Sequence, residues 1–410
     1  MHTDEKLNAS FDEKVYKTTK GDCRMKIALI RQKYTPFGGA ERYMSRLIAG
    51  LVAKGHDVHV FASQWQTSDH PTLTFHQVPA IRAAGWLRAL TFSINCGNLL
   101  RREDFDVIFS LERTLHQDIY RAGDGCHRQW LTQKNLGKGI LAHLRTYINP
   151  LHLTYLYLER KLFTDPGLKA IITNSKNGKD EIVRLYDVSP DKIHVVYNGV
   201  DPDEFAHGDR ALHRAELARE FHLKDEVRLL YVGSGFERKG VPTLLKSVAS
   251  LHIPYKLFIV GKGRLNKFRK AAKRLGIDEK VIFTGPRTDV QRFYLGSDIF
   301  VFPTLYDPFS NATLEAMACG LPVITTPFNG VSEIISEGRN GCVINDPLDD
   351  KSIADAITRL AMREVREPMG EEARRTAVEF TMERNVMETI KVISSVRKSD
   401  ASLLGARVDC

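Results

Sequence analysis

The stretch "YDPFSNATLEAMACGLPVITT", residues 306–326, places two carboxylates, Asp307 and Glu315, eight positions apart around a helix start. The helix is expected to begin near Ser310 or Asn311 and to run through "NATLEAMACG". Backbone N–H groups at Ser310, Asn311 and Ala312 have no intrahelical partner there, so they suit an anion. Glu315 falls in the second turn, and Asp307 in the loop on the other side of the helix end. A phosphate at the N–H groups with hydroxyls at the two carboxylates describes a nucleotide sugar. A helix-start acid beside an unrelated buried acid is the plain alternative.

Three further stretches carry chemistry. "LLYVGSGFERKGVPTLL" puts Arg238 and Lys239 at the mouth of a strand–loop–helix unit, where two cations suit a pyrophosphate. "YTPFGGAER" puts Gly38 and Gly39 where a first strand turns into a helix, which lets backbone approach an anion or simply makes a tight turn. This is not the G-x-G-x-x-G fingerprint, which counts against a nicotinamide enzyme. "DIYRAGDGCHRQW" sets Asp124 between glycines, with Cys126 and His127 behind it. An aspartate so placed is either a site carboxylate or a turn former.

The elements that must position these groups alternate regularly. "MKIALI", "HDVHVFAS", "FHQVPA", "FDVIFSL", "LKAIITNS" and "IHVVYN" read as strands in the first half. "VRLLYVGS", "YKLFIVGKG", "KVIFTGP", "DIFVFPT", "LPVITT" and "GCVIN" read as strands in the second, with helical patterns between them. Apolar strands separated by helices imply parallel sheets covered on both faces. The expected fold is therefore α/β, with two Rossmann-like, doubly wound parallel-sheet domains facing across a cleft. "YNGVDPDEF", 197–205, supplies the hinge. Expected boundaries are 25–198 and 199–375, then a helical segment over 376–410 that returns toward the first domain and ends in a flexible tail. Residues 1–24 are polar and mixed in charge, with no apolar signal core, and are expected to be disordered. Ligands of such sheets bind beyond the carboxyl ends of the strands.

Composition narrows the classes. Six scattered cysteines lack metal or disulfide spacing, which fits a reducing cytoplasm and no zinc site. A formal charge of +9 points to an anionic partner. From Arg128 to Leu158 there is no acid, yet Arg128, Lys134, Lys138 and Arg145 interleave with Trp130, Tyr147 and leucines. That mixture suits an anionic membrane surface, or else an ordinary helix pair; no nucleic-acid module is visible.

The combination of "FGGAER", "VGSGFERKG", "GKG", "FTGPRTDV" and "PTLYDPFSNATLEAMACGLPVITT" resembles the retaining GT-B glycosyltransferases of family 4. Within that family, "YTPFGGAERYMSRLIAGLVAKGHDVHVFASQW" and "GSGFERKGV" are most similar to members that glucosylate the lipopolysaccharide core. The resemblance implies a donor nucleotide sugar, UDP-glucose foremost, and a glycolipid acceptor bearing heptose, with no cofactor and no metal. It implies that Glu315 holds the ribose, Asp307 faces the transferred sugar, and Arg238 and Lys239 neutralise the diphosphate approached by Gly38 and Gly39. Asp124 is the implied catalytic carboxylate, His127 the alternative contact, and 128–162 the membrane-facing segment of a peripheral protein on the cytoplasmic face. Three departures stand out: Asp307 where the family carries Glu, Ser310 where it carries Gly, and Ser234 where it carries Arg. Transfer of mannose, galactose or N-acetylglucosamine in surface polysaccharide synthesis, and a non-catalytic nucleotide-sugar-binding role, are the other readings.

Overall fold

The Val-, Ile- and Leu-rich runs pair in parallel, as strands buried on both faces do. The computed structural model describes residues 24–34, 39–65 and 73–397. Its strands are β1 (Lys26–Ile30), β2 (Lys33–Tyr34), β3 (Asp57–Ala62), β4 (Gln64–Trp65), β5 (Leu73–Gln77), β6 (Val107–Ser110), β7 (Ile119–Arg121), β8 (Ala170–Thr173) and β9 (Ile193–Val195) in the first half. The second half holds β10 (Val227–Val232), β11 (Tyr255–Val260), β12 (Val281–Gly285), β13 (Ile299–Phe302), β14 (Val323–Thr325) and β15 (Gly341–Val343). Among the described residues they form a seven-stranded sheet, β5-β3-β1-β6-β7-β8-β9, and a six-stranded sheet, β12-β11-β10-β13-β14-β15. β2 and β4 make a separate two-stranded pair. The strand order turns back on both sides of β1 and of β10, so each sheet is doubly wound and has its switch point there.

Each sheet is packed by helices on an apolar core. In the second half, Tyr231, Phe236, Phe258, Phe300 and Phe302 are wholly buried between strands and helices. In the first, Leu47 and Leu51 of the helix Gly39–Ala53 pack with β1, β3 and β6. That same core contains Val386, Ile390 and Ile393 of the helix Met382–Ser395, so the chain's last described helix belongs to the first sheet. The segments over 1–23 and 398–410, expected to be disordered or flexible, lie outside the described residues.

Two crossings join the halves side by side. Val200 pairs with Thr381 as an isolated parallel bridge, with Val200 N–H donating to Phe380 O and Met382 N–H to Val200 O. A Cβ on Gly199 would lie 2.2 Å from the carbonyl oxygen of Thr381, so only glycine allows this approach. Asp201 then caps the short helix Pro202–Phe205. The hinge read at 197–205 is thus one half of a two-strand crossing.

Candidate active site

The loop after β13 and the helix Asn311–Ala318 are built around one buried side chain. Ser310 is the helix cap, its hydroxyl accepting from Thr313 N. Asn329, wholly buried, accepts from Ser310 N at 3.1 Å and Val331 N at 3.2 Å, and donates to Thr313 Oγ1 and Thr325 Oγ1. Its hydrogen-bonding capacity is filled, which ties the helix start to β14. Asp307 is held on its backbone by Phe328 O and Gly330 N.

Lys239 and Asp307, given separate tasks by the sequence reading, form an ion pair at 3.1 Å, with Lys239 Nζ also 5.1 Å from the Phe302 ring centre. Arg238 donates to Tyr306 O at 2.8 Å. Behind them Gly240 opens the helix Val241–Ala249 at φ 80°; a Cβ there would meet Pro303 O at 1.8 Å. Both cations therefore lie against the β13 loop rather than in open solvent.

From the first half, the loop after β7 carries Asp124, exposed, to the same cleft. Gly125 has φ 69°, and a Cβ on it would lie 2.2 Å from Tyr306 Oη. Cys126 N–H donates to that same hydroxyl at 2.8 Å, and the hydroxyl donates to Glu181 at 2.7 Å. Tyr306 is thus a second-half side chain seated in the first half. Gly125→Ala should keep each half folded yet lower turnover about 100-fold, because the methyl occupies the Tyr306 seat; thermal melts beside an activity assay check this.

Glu181, beside a smaller cavity of about 300 Å³, has its carboxyl pushed up to about 7, chiefly by burial, against the pull of Tyr306 and Arg184. Its pKa is higher in the folded than in the unfolded chain. The folded state is therefore favoured below the unfolded value, and that stability is lost as pH rises through about 7. Glu181→Gln is expected to match the wild type near pH 5 and to melt several degrees higher near pH 8, as melting curves across pH would reveal.

His127 opens the helix His127–Lys134, whose cap residue, Cys126, has no side-chain acceptor to offer. Glu159, on the helix Pro150–Phe163 and 1 % exposed, supplies it: its carboxylate accepts from His127 N at 2.6 Å and Arg128 N at 3.2 Å. It also accepts from Arg113 Nε at 2.9 Å and from Tyr186 Oη.

The cleft between the halves has a volume of about 500 Å³ and brings together Asp124, His127 and Trp130 with Arg238, Lys239, Asp307, Ser310, Asn311 and Ala312. Glu315 lies one turn deeper, accepting from Tyr294 Oη at 2.9 Å, and does not line this cavity. Gly38 lies outside the described residues, and Gly39 begins its helix. The sequence reading missed Arg113, Arg121 and Tyr306, which also line the cleft. Arg121, 5 % exposed, donates to Asn198 and Thr389 and stacks 4.0 Å over Tyr43, and among the described residues no carboxylate pairs with it. Only its place at the end of a short strand, just before the Gly-flanked aspartate, could have flagged it.

The basic aromatic segment divides in two. Trp130 faces the cleft, stacked at 6.5 Å on Tyr306; Arg128 donates to Leu185 O; and Lys134 lies 2.8 Å from His152 Nε2. Trp130 and Lys134 are thus half-buried and turned toward the cleft side, while Arg128 stays exposed, a division that composition does not reveal. The outer face carries Ile140, 85 % exposed, with Leu141, Leu144, Tyr147 and Ile148, beside exposed Lys138 and Arg145. No described helix is long and apolar enough to cross a membrane. Among the described residues, one group has metal-compatible ligand spacing, His59, His76 and Glu103, with His59 on β3 and His76 on β5. There Lys26 already binds Glu103 at 2.9 Å.

With this geometry in hand, the comparisons are consistent. Residues 37–204 match the model for Glycosyltransferase Family 4, and 213–376 that for Glycosyl transferases group 1. The chain belongs to the group 1, family 4 glycosyltransferases, and its two facing sheets are the GT-B fold. It is 26 % identical over 360 residues to the lipopolysaccharide glucosyltransferase WaaG of Escherichia coli (strain K12), covering 86 % of this chain and 94 % of that one. The crystal structure of WaaG, a glycosyltransferase involved in lipopolysaccharide biosynthesis, superposes with a TM-score of 0.78 at 25 % identity, over 90 % of this chain and 99 % of that one. The N-acetyl-alpha-D-glucosaminyl L-malate synthase of Bacillus anthracis is 25 % identical over 400 residues, 92 % of this chain and 99 % of that one.

Proposed function

We propose that this glycosyltransferase moves a hexose, glucose from UDP-glucose foremost, onto a membrane-borne glycolipid such as heptose-bearing lipopolysaccharide core, with retention at the anomeric carbon. The observation that carries the reading is the cleft itself: Asp124 and His127 from one half oppose Lys239, Asp307 and the Asn311–Ala318 helix start from the other. A diphosphate at that helix start meets the N–H groups of Asn311 and Ala312, that of Ser310 being taken by Asn329, together with Arg238 and Lys239, while Arg121 adds a buried charge that an anion would balance. These cations supply the leaving-group stabilisation for which other enzymes recruit a metal, so the proposed reaction is metal-independent. In same-face displacement the departing diphosphate accepts the proton of the acceptor hydroxyl, and Asp124 supports positive charge at the anomeric centre. Similarity to a lipopolysaccharide glucosyltransferase favours the glucose reading, and similarity over a longer span to an N-acetyl-alpha-D-glucosaminyl L-malate synthase keeps the donor sugar open.

The exposed apolar face over 140–148, with Lys138 and Arg145 and no acid nearby in sequence, fits the headgroup region of an anionic bilayer. On this reading the protein is a peripheral enzyme working at the cytoplasmic face of the membrane. The double variant Leu141→Glu/Leu144→Glu should lower co-sedimentation with phosphatidylglycerol vesicles by at least about tenfold without altering the melting temperature. Calorimetry with UDP, GDP, ADP and their hexose conjugates, with and without Mg²⁺, tests the donor. UDP-selective, Mg²⁺-indifferent binding strengthened by glucose supports the reading. GDP selectivity would move the donor to mannose, and no binding would overturn it.

A further inference from the structure

Lys134, half-buried, ends a chain of three side chains leading into the cleft. Its Nζ is 2.8 Å from His152 Nε2, and His152 Nδ1 is 3.1 Å from His127 Nε2. His127 lines the cleft beside Trp130 and Asp124. A lysine ammonium can only donate, so His152 Nε2 must accept and the ring carries its proton on Nδ1. That N–H donates to His127 Nε2, which leaves the single proton of His127 on Nδ1 as well. Nδ1 has no partner among the described residues. We propose that Lys134, acting through His152, is a positioning residue that holds His127 as a neutral, Nδ1-protonated hydrogen-bond donor to an uncharged sugar oxygen in the cleft.

The surroundings agree. Lys134 shares a helix with His127, and His152, Tyr155 and Glu159 face it from the helix Pro150–Phe163. Arg113 approaches from the loop after β6, and Asp124 precedes it by three residues. Glu159, the acid nearest to it, is occupied by Arg113, Tyr186 and two backbone N–H groups. Burial first, then the charges of Arg113, His152 and Lys134, hold His127 down to about 3, and burial with Lys134 lowers His152. The ring is therefore a donor at physiological pH and has no basic nitrogen to offer. A hydroxyl or ring oxygen of a pyranose fits it better than a phosphate, because Asp124 lies beside it in the same wall.

The inference rests on the cleft being the transfer site, and its first test needs no turnover. In the full chain labelled with ¹⁵N in its histidine rings, long-range ¹H–¹⁵N spectra should show His127 and His152 both as Nδ1–H tautomers. His127 should not titrate between about pH 5.5 and 9, and His152 should titrate below its ordinary range. Lys134→Met should mix the tautomers and raise the first protonation of the pair by about one pH unit or more. Lys134→Arg should restore the wild-type pattern. An Nε2–H tautomer at His127, titration near its ordinary value in the wild type, or unchanged spectra in Lys134→Met would each overturn the proposal. With UDP-glucose as donor, Lys134→Met should add an acidic limb to the pH–rate profile while UDP affinity stays within about twofold. A wild type that shows the expected tautomers but neither transfers nor hydrolyses UDP-glucose would count against the functional reading and not against this chain of side chains.

Discussion

Lys239→Met is expected to lower transfer by about 10²- to 10³-fold, the usual cost of removing one pre-placed charge from a developing anion. The loss should fall on kcat, since the diphosphate gains charge only as the bond breaks. The substitution also strips Asp307 of its partner at 3.1 Å while leaving that carboxylate almost buried, so some stability goes with it. The double variant Lys239→Met/Asp307→Asn separates the two effects. Its melting temperature should return toward the wild type, and its activity should not. Steady-state kinetics beside thermal melts of both variants decide the matter, and recovered activity in the double variant would remove Lys239 from the leaving-group site.

Replacing Glu159 by Ala should cost about 3–5 kcal/mol, the range for breaking a buried charge pair by deleting one partner. The carboxylate is 1 % exposed and serves four donors from three parts of the first half. Its removal leaves Arg113 without the acid at 2.9 Å and the helix His127–Lys134 without a cap. Urea unfolding at neutral pH should show the lowered stability. Hydrogen exchange should show the earliest loss of protection at residues 124–130, ahead of the second sheet.

The strands of both sheets were legible because parallel sheets buried on two faces demand unbroken apolar runs, and such runs stand out between helices. β7 did not, since three residues, Ile119–Arg121, between polar neighbours carry too little pattern. That Asp307, Ser310, Asn311, Arg238 and Lys239 line the cleft was legible because they sit at strand ends. Tyr306, Arg113 and Glu159 were not, because each acts on a partner remote in sequence: Tyr306 on Cys126, Arg113 and Glu159 on one another. Glu159 did leave a trace, as the first acid after the acid-free run and set within "YLYLERKL". A lone carboxylate among leucines is seldom left without a buried cation. The outer and inner members of 128–148 were inseparable in sequence, since the direction of each side chain is decided by packing. The depth of Glu315 below the cleft was likewise beyond helix spacing; its carboxylate accepts from the Tyr294 hydroxyl.

The helix Met382–Ser395, which fills the first core from the far end of the chain, imposes an order on synthesis. A ribosome releases the first half long before the residues that complete its apolar interior, so that half must wait, with Leu47, Leu51 and their neighbours short of Val386 and Ile390, until the second sheet has been made. A chain ending near residue 380 would therefore leave an apolar groove open on its amino-terminal half.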